Sequence, residues 1–150
     1  VHTNFFANVA EQSAQLMSNY VASAPAGGPK ESLPFKPQEI TNLVWSFATL
    51  NVRAPTLLDV VGNYVVHICS NGKTPFNERS IAKLFNRQEM ANLAWSCAVL
   101  EKYHEGLMPL LYTGLLGGNG RDDSKYMREV MRDDGLQRQA IMTLLYVQLA

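Results

Sequence analysis

The sequence predicts an all-α protein, an α-solenoid of stacked helical hairpins, and three observations predict this fold. First, residues 35–50, FKPQEITNLVWSFATL, recur 50 residues later as FNRQEMANLAWSCAVL, without a gap and with nine identical positions. Second, apolar residues in both copies recur at spacings of three and four, which is the periodicity of an amphipathic helix. Third, another apolar helical stripe follows each copy. Repeats of fixed long period are typical of units that bury their apolar faces against each other.

The first helix of each unit has its own start signal. In the second copy Asn86 is a suitable N-cap and Glu89 follows three residues later, which predicts a capping box. In the first copy Pro37 occupies the first helical position, where its missing N–H costs nothing. Six repeated aromatic and leucine side chains are predicted to form the structural core of the repeat: Phe35, Leu43, Trp45, Phe85, Leu93 and Trp95.

A second helix is predicted after each copy. Pro55 opens the first of these helices, again at the first helical position. Its apolar stripe comprises Leu57, Leu58, Val61, Val65 and Ile68. The corresponding stripe in the second unit comprises Leu107, Met108, Leu111 and Leu115. Each unit is therefore predicted to be a helical hairpin.

The hairpins divide the chain into seven segments. Residues 1–23 are interpreted as the second helix of a preceding unit, with Phe5, Val9, Leu16 and Tyr20 on one face. The other segments are a Pro/Gly/Ala-rich linker (24–34), repeat unit 1 (35–69), an insertion (70–84), repeat unit 2 (85–116), a second insertion (117–134) and a degenerate first helix of a further unit (135–150). With these insertions the repeat is longer than the roughly 34 to 47 residues of common helical repeats.

Composition narrows the class of protein. A hydrophobic content of 47% suits a sizeable core, and 13 basic against 13 acidic residues give zero net charge. No global field therefore attracts nucleic acid or an anionic membrane, so such binding depends on a local patch. The two cysteines lack CxxC spacing and are expected to be buried and reduced, as in intracellular or organellar proteins. No apolar run is long enough for a membrane span. The chain starts at Val1 without a signal or transit segment, and we expect it to be a trimmed piece of a longer protein.

The repeated pattern F-x-x-Q-E-x-x-N-L-x-W-S-x-A-x-L resembles the octotricopeptide-repeat family and its relatives among RAP-domain and FAST-kinase-like organelle proteins. It is also similar to helical-repeat proteins of the kinetoplastid RNA-editing substrate-binding complex. The closing LLYVQLA resembles the run that precedes the RAP domain in many of these proteins. The resemblance covers residues 35–116 strongly and both ends weakly. It implies an α-solenoid in the mitochondrion or chloroplast, in the matrix or stroma, that binds single-stranded or ribosomal RNA in processing, editing, stabilisation or translation.

A repeated polar stripe is the first candidate for such binding. Gln38, Asn42 and Ser46 follow each other at i, i+4 and i+8, and Gln88, Asn92 and Ser96 repeat them. Stacked units would place these side chains in a ladder of donors and acceptors for bases, phosphates or a peptide backbone. Alternatively, the asparagines hydrogen-bond to adjacent helices and fix the stacking. Discrimination between bases is expected where the copies differ, at Lys36/Asn86, Pro37/Arg87 and Thr41/Ala91.

Cations and tryptophans supply further candidates. Lys73, Lys83 and Arg87 lie in or beside the first insertion and could hold phosphates, although they could also form a solvated loop face. Trp45 and Trp95 could stack on bases, but they lie between core positions, so we expect both to be mostly buried between units. The candidate RNA-binding set is Lys36, Gln38, Asn42, Ser46, Lys73, Lys83, Asn86, Arg87, Gln88, Asn92 and Ser96.

No motif in the sequence predicts catalysis. GxSxG, Walker and GxGxxG patterns are missing, and His2, His67 and His104 do not have the spacing of metal ligands. We therefore expect a protein that is not an enzyme and needs neither a metal nor a cofactor. The main alternative to RNA binding is a protein-binding scaffold, as a subunit of an organellar ribosome or of another organellar complex. Zero net charge favours the scaffold, whereas the family resemblance favours RNA.

Overall fold

The computed structural model describes residues 2–24, 33–70 and 80–116, and these contain six α-helices and no strand. The helices are α1 (His2–Ser23), α2 (Pro37–Thr49), α3 (Pro55–Cys69), α4 (Ser80–Leu84), α5 (Arg87–Val99) and α6 (Leu107–Leu116). The all-α prediction is confirmed for this part of the chain. Most of the predicted linker, Lys73, the second insertion and the final degenerate helix lie outside the described residues.

The predicted helix starts are present. At α5 the Asn86 side chain accepts a hydrogen bond from the Glu89 N–H at 2.8 Å, and a Glu89 carboxylate oxygen accepts one from the Asn86 N–H at 2.8 Å. At α2 Pro37 is the first helical residue, and Glu39 accepts from the Lys36 N–H at 2.8 Å. The Lys36 side chain has no acceptor atom, so only the glutamate half of this capping box can form.

Both first helices also end in the same way, beyond the region of sequence identity. The residue after each C-cap has a positive φ, 53° at Asn51 and 52° at Glu101. The N–H groups that follow fold back onto the last turn in the two-bond pattern of a Schellman motif. These bonds are Asn51 N–H to Ala48 O (3.0 Å), Val52 N–H to Phe47 O (2.8 Å), Glu101 N–H to Ala98 O (3.2 Å) and Lys102 N–H to Cys97 O (2.9 Å).

The helices pair with their counterparts in the repeat. α2 packs along α5, α1 packs along α3, and α6 contacts α5, α3 and α4. An ion pair of 3.1 Å between Arg53 and Glu101 brings the C-terminal turns of α2 and α5 together, so these two helices run in the same direction. The Tyr20 ring contacts the rings of Tyr64 and His67 at centroid distances of 5.7 and 6.0 Å, which likewise joins the C-terminal halves of α1 and α3.

The core fills the space between these helices. The predicted stripes of the second helices are confirmed, since every member is buried: Leu57, Leu58, Val61, Val65 and Ile68 in α3, and Leu107, Met108, Leu111 and Leu115 in α6. Four of these positions correspond at the same 50-residue offset, so the repeat extends through the second helix in its burial pattern. Cys69 and Cys97 are both unpaired and buried, as predicted.

One repeat position sets the spacing inside each hairpin. In unit 1 it holds Tyr64, whose hydroxyl donates to the Phe35 carbonyl at 2.8 Å and accepts from the Phe35 N–H at 3.3 Å. In unit 2 it holds Gly114, where a Cβ would lie 2.6 Å from the Met90 sulfur and 2.9 Å from Ile81 Cγ2. Glycine therefore lets α6 approach α5 and α4 closely, while the tyrosine bridges the start of unit 1 to α3.

Two predictions of burial are wrong. Trp45 is 44% exposed, whereas it was expected to be mostly buried; Trp95 is packed against the core with only a minor part of its surface in solvent, as expected. In α1, Phe5 and Leu16 are exposed at 62% and 52%, although they belong to the predicted apolar face. The reason in α1 is that Phe6 and Met17, on a neighbouring side of the helix, reach the core instead, with the Phe6 ring 5.4 Å from that of Phe47.

Candidate nucleic-acid interface

The solvent side of the first helices carries amides and indoles, and we call it the outer face. It comprises Gln38, Asn42 and Trp45 of α2 and Gln88, Asn92 and Trp95 of α5. Within each helix these residues follow each other at i, i+4 and i+7, so they share one side. Gln38, Asn42 and Gln88 are exposed, and Asn92 is half-buried. The polar stripe predicted from sequence therefore continues into a tryptophan rather than into a serine.

The serines of the predicted stripe turn away from solvent. Each hydroxyl donates to the carbonyl four residues earlier at 2.7 Å, Ser46 to Asn42 and Ser96 to Asn92. Ser46 is half-buried and Ser96 has 0% exposure. Such back-bonding satisfies a hydroxyl inside a helix. Ser96 is therefore not available to a bound strand in this structure.

Hydrogen bonds along α5 also restrict the predicted ladder. The Gln88 amide donates to the Asn92 side-chain oxygen at 2.9 Å, so these two residues are tied to each other. Thr41 is buried and its hydroxyl donates to the Pro37 carbonyl at 2.9 Å, and its counterpart Ala91 is buried as well. The Thr41/Ala91 difference therefore cannot read a base. Lys36/Asn86 and Pro37/Arg87 lie at the surface or are half-buried.

Three cations border the N-terminal end of the outer face. Lys36 caps α2, Arg87 begins α5, and Lys83 lies in the short helix α4 just before it, all with exposed side chains. They lie at the same end because α2 and α5 run in the same direction. Two carboxylates share this end, Glu39 and Glu89, and each accepts from the N-cap N–H of its helix. Helix N-termini carry partial positive charge, which favours an anion there.

The opposite end of the outer face has a different electrostatic character. There the charges occur as ion pairs between the units, Arg53 with Glu101 and Lys102 with Asp59, each at 3.1 Å. Exposed pairs of this kind contribute about 0–1 kcal/mol to stability, so their main effect is to cancel charge. Among the described residues, an anionic strand would therefore meet cations outside these ion pairs toward the N-terminal ends of α2 and α5.

Three side chains in the core have strongly shifted pKa values. Burial raises the pKa of the Cys69 and Cys97 thiols to about 12. Burial also raises the pKa of Tyr64 to about 12, against the opposing effect of its hydrogen bond to Phe35. A thiol with such a pKa is protonated near neutral pH and does not act as a nucleophile or a metal ligand. The two thiols therefore serve packing, and Tyr64 both packs and bonds to the Phe35 backbone.

A groove that the sequence did not predict lies between α1 and the turn from α2 to α3. Its volume is about 540 Å³, and its lining includes Phe6, Ala10, Ala14, Phe47 and Ala54. In unit 2 the position of Ala54 is occupied by His104, which fills the corresponding space. The sequence signal that could have shown this groove is the small side chain of Ala54 at the repeat position where unit 2 has His104.

His104 closes the unit 2 counterpart of the groove through three contacts. Its ring lies against Gly62, where a Cβ would come within 2.2 Å of it. Its Nε2 lies 2.9 Å from Asn63 Oδ1, and its Nδ1 accepts from the N–H groups of Gly106 at 3.2 Å and Leu107 at 3.0 Å. With Nδ1 facing these two backbone N–H groups as acceptor, Nε2 is the ring nitrogen that can donate to Asn63 Oδ1. His104 thereby caps α6 and joins it to α3.

The described residues contain no group of three or more metal-binding side chains, and none of their helices is long and apolar enough to cross a membrane. No protein-family model matches the chain, and no curated protein or solved structure is significantly similar to it. A functional conclusion therefore rests on the repeat pattern and on the geometry of the outer face.

Proposed function

We propose that this chain is a non-catalytic helical-repeat module, a short α-solenoid of the octotricopeptide-repeat kind, that binds single-stranded RNA along its outer face. The observation that carries the proposal is the exposure of Trp45, at 44%, beside the exposed amides of Gln38 and Asn42. An indole at a polar surface is a platform on which a base can stack, and such stacking accepts every base. The neighbouring amides supply donors and acceptors for base edges and the sugar–phosphate backbone.

The solenoid part of the proposal is supported by the relation between the two units. Their first helices lie side by side in the same direction, and their caps and C-terminal turns agree at an offset of 50 residues. Their second helices bury the same positions. When units stack on each other in this same way, their equivalent faces form one continuous binding surface along the array, which suits an extended ligand.

The bound strand would meet cations and amides in turn. Phosphates would contact Lys36, Lys83 and Arg87 and the N-terminal ends of α2 and α5, because cations and helix dipoles coincide there. Bases would lie further along the helices, where Asn42 and Trp45 are exposed, with Gln38 exposed in the first turn of α2. Phosphate contacts position a strand without reading it, and the amides that could read bases are nearly identical in both units. Weak sequence preference is therefore expected.

The cellular setting comes from the family resemblance of the repeat motif. It favours the mitochondrial matrix or the chloroplast stroma and a role in processing, editing, stabilisation or translation of organellar RNA. Two buried thiols are compatible with a reducing compartment. A protein-binding scaffold of an organellar ribosome or another complex is the second candidate, and the exposed apolar side chains of Phe5, Leu16 and Leu50 favour it.

Binding of labelled single-stranded RNA, followed by fluorescence anisotropy at several salt concentrations, tests the proposal. Changing Lys36, Lys83 and Arg87 to alanine should weaken binding to all sequences and shallow the log-affinity against log-salt slope by about 0.7 for each lost phosphate contact. Trp45→Ala should cost about 1–3 kcal/mol of binding free energy with the slope unchanged, as for one stacked base. Arg53→Ala is the matched control, because this exposed cation lies at the opposite end and pairs with Glu101.

The proposal fails if the unaltered chain binds no RNA even at low salt. Retention of such a chain on an organellar protein assembly would then support the scaffold. If Arg53→Ala weakens RNA affinity as much as the change of the three N-terminal cations does, the proposed position of the strand is wrong. The proposal that the chain binds RNA would still stand. A thermal melt of each variant tests for unfolding as the cause, which matters most for Trp45, since its side chain is 44% exposed whereas the four cations lie at the surface.

A further inference from the structure

Equivalent positions of α2 and α5 differ in exposure on one side of the helix. Leu50 is 57% exposed whereas Leu100 is 6% exposed. Likewise Leu43 and Ser46 are half-buried whereas Leu93 and Ser96 are buried completely. In each helix these positions follow at i, i+3 and i+7 and form one side, which we call the leading flank. The leading flank is covered in unit 2 and only partly covered in unit 1.

The opposite side carries small residues and shows the reverse trend at one of two positions. Thr41 and Ala48 of α2 are both buried; of their counterparts in α5, Ala91 is buried as well and Ala98 is half-buried. These small residues are seven positions apart, and we call their side the trailing flank. α2 and α5 are neighbours with the same direction. The burial pattern therefore follows if the trailing flank of α2 covers the leading flank of α5.

The open side of unit 1 continues onto α1. Phe5 and Leu16 are exposed there, and the Phe5 ring lies 5.5 Å from that of Phe6, which in turn contacts Phe47. Phe47 is three residues before Leu50, so the exposed groups of both helices lie at one end of the stack. We call the set Phe5, Leu16, Leu43 and Leu50 the end face. Capping units of solenoids carry polar outer faces for solubility, whereas the end face is apolar.

We propose that the end face binds one further amphipathic helix, which presents small residues at the positions of Thr41 and Ala48. The contact between α2 and α5 shows which surface fits a leading flank, and the end face repeats that flank with leucine at the same two positions. A second copy of the chain is a poorer fit, because Ala91 of its α5 trailing flank is already buried. This inference rests on the proposed stacking of repeats and does not depend on RNA binding.

The chemistry of the contact is apolar. Between the two units, Glu101 and Lys102 form ion pairs with Arg53 and Asp59. At the end face the corresponding positions hold Asn51 and Val52, so those ion pairs have no equivalent. Binding of the helix should therefore change little with salt, in contrast to binding of RNA. Salt dependence separates the two proposals.

Fusion of a helix to the chain tests the inference. A copy of residues 35–54 is placed directly before His2, so that the added helix and turn precede α1 as α2 and its turn precede α3. The fusion should melt at least about 4 °C above the unaltered chain, equally at low and high salt. Hydrogen exchange should show protection of the added helix, because isolated helices of this length are marginal in water.

Two substitutions one residue apart provide the matched control. Leu50→Asp should remove the gain of the fusion, whereas Thr49→Asp, also exposed but on the outer face, should keep it. Both introduce the same charge at the end of α2, so unfavourable interaction with the helix dipole cancels in the comparison. Both should leave the melting temperature of the unfused chain nearly unchanged.

Three results would overturn the inference. The first is a fusion that has the same melting temperature as the unfused chain and whose added helix exchanges its amide hydrogens as fast as the free peptide does. The second is a gain that survives Leu50→Asp. The third is concentration-dependent dimerisation of the unfused chain that Leu50→Asp abolishes, which would assign the end face to a second copy.

Discussion

Leu50 and Leu100 provide an internal comparison of stability, since the same residue occupies the same repeat position in two environments. Both are C-cap residues with similar backbone angles, φ −89° and −83°. Effects of alanine on the unfolded chain and on the helix end therefore cancel when the two variants are compared. The difference that remains is exposure, 57% against 6%.

The expected costs follow from that exposure. Leu100→Ala removes a side chain that is almost entirely out of water and leaves a cavity, which costs about 2–5 kcal/mol in protein cores. Leu50→Ala removes a side chain that is mostly in water, and substitutions at such sites usually change stability by no more than about 0.5 kcal/mol. We expect a difference of at least about 2 kcal/mol between the variants.

Urea unfolding followed by far-UV circular dichroism measures this difference. The m-values of both variants should match the unaltered chain, because the fold does not change. If Leu100→Ala does not fold, Leu100→Val reports the same site with a smaller truncation. Equal costs at the two positions would refute the stacking of α2 on the leading flank of α5.

Three further predictions concern the turn, the histidine contact and the thiols. In an Arg53→Ala background, which already lacks the ion pair with Glu101, Glu101→Gly should raise the free energy of unfolding by about 0.4–1 kcal/mol, because glycine adopts the observed φ of 52° without strain; a loss in urea unfolding would contradict this. Gly62→Ala should destabilise the chain by about 1–3 kcal/mol by displacing the His104 ring, and much less in a His104→Ala background; additive costs in this double-mutant cycle would refute the contact. Cys69 and Cys97 should react with a thiol reagent at pH 8 only after unfolding. In the folded state burial raises the pKa of both thiols from 9.0 to about 12, so they keep their protons at pH values where the unfolded chain loses them. Stability should therefore fall as the pH rises from 9 toward 12. A midpoint of unfolding that is constant over this range would contradict the burial of the thiols.

Local signals in the sequence were sufficient for the helices themselves. Asn86, Glu89 and Pro37 act on backbone groups within one turn, so their effect does not depend on distant contacts. The apolar stripes of α3 and α6 are similarly robust, because a hairpin must bury them wherever its neighbours lie. Of the candidate RNA-binding residues, Gln38, Asn42 and Gln88 are exposed, and their role in binding stays a prediction.

The tertiary structure decided which identical residues are buried. Trp45 and Trp95, Ser46 and Ser96, and Leu50 and Leu100 are pairs of the same residue in the same helical phase, yet their exposures differ. Sequence sets the direction of a side chain from its helix, but exposure also depends on which helix lies alongside. α5 packs along α2 and its leading flank is buried, whereas the leading flank of α2 is half-buried or exposed. That asymmetry, which no single-helix pattern contains, leaves an indole on the outer face and leucines at the end face.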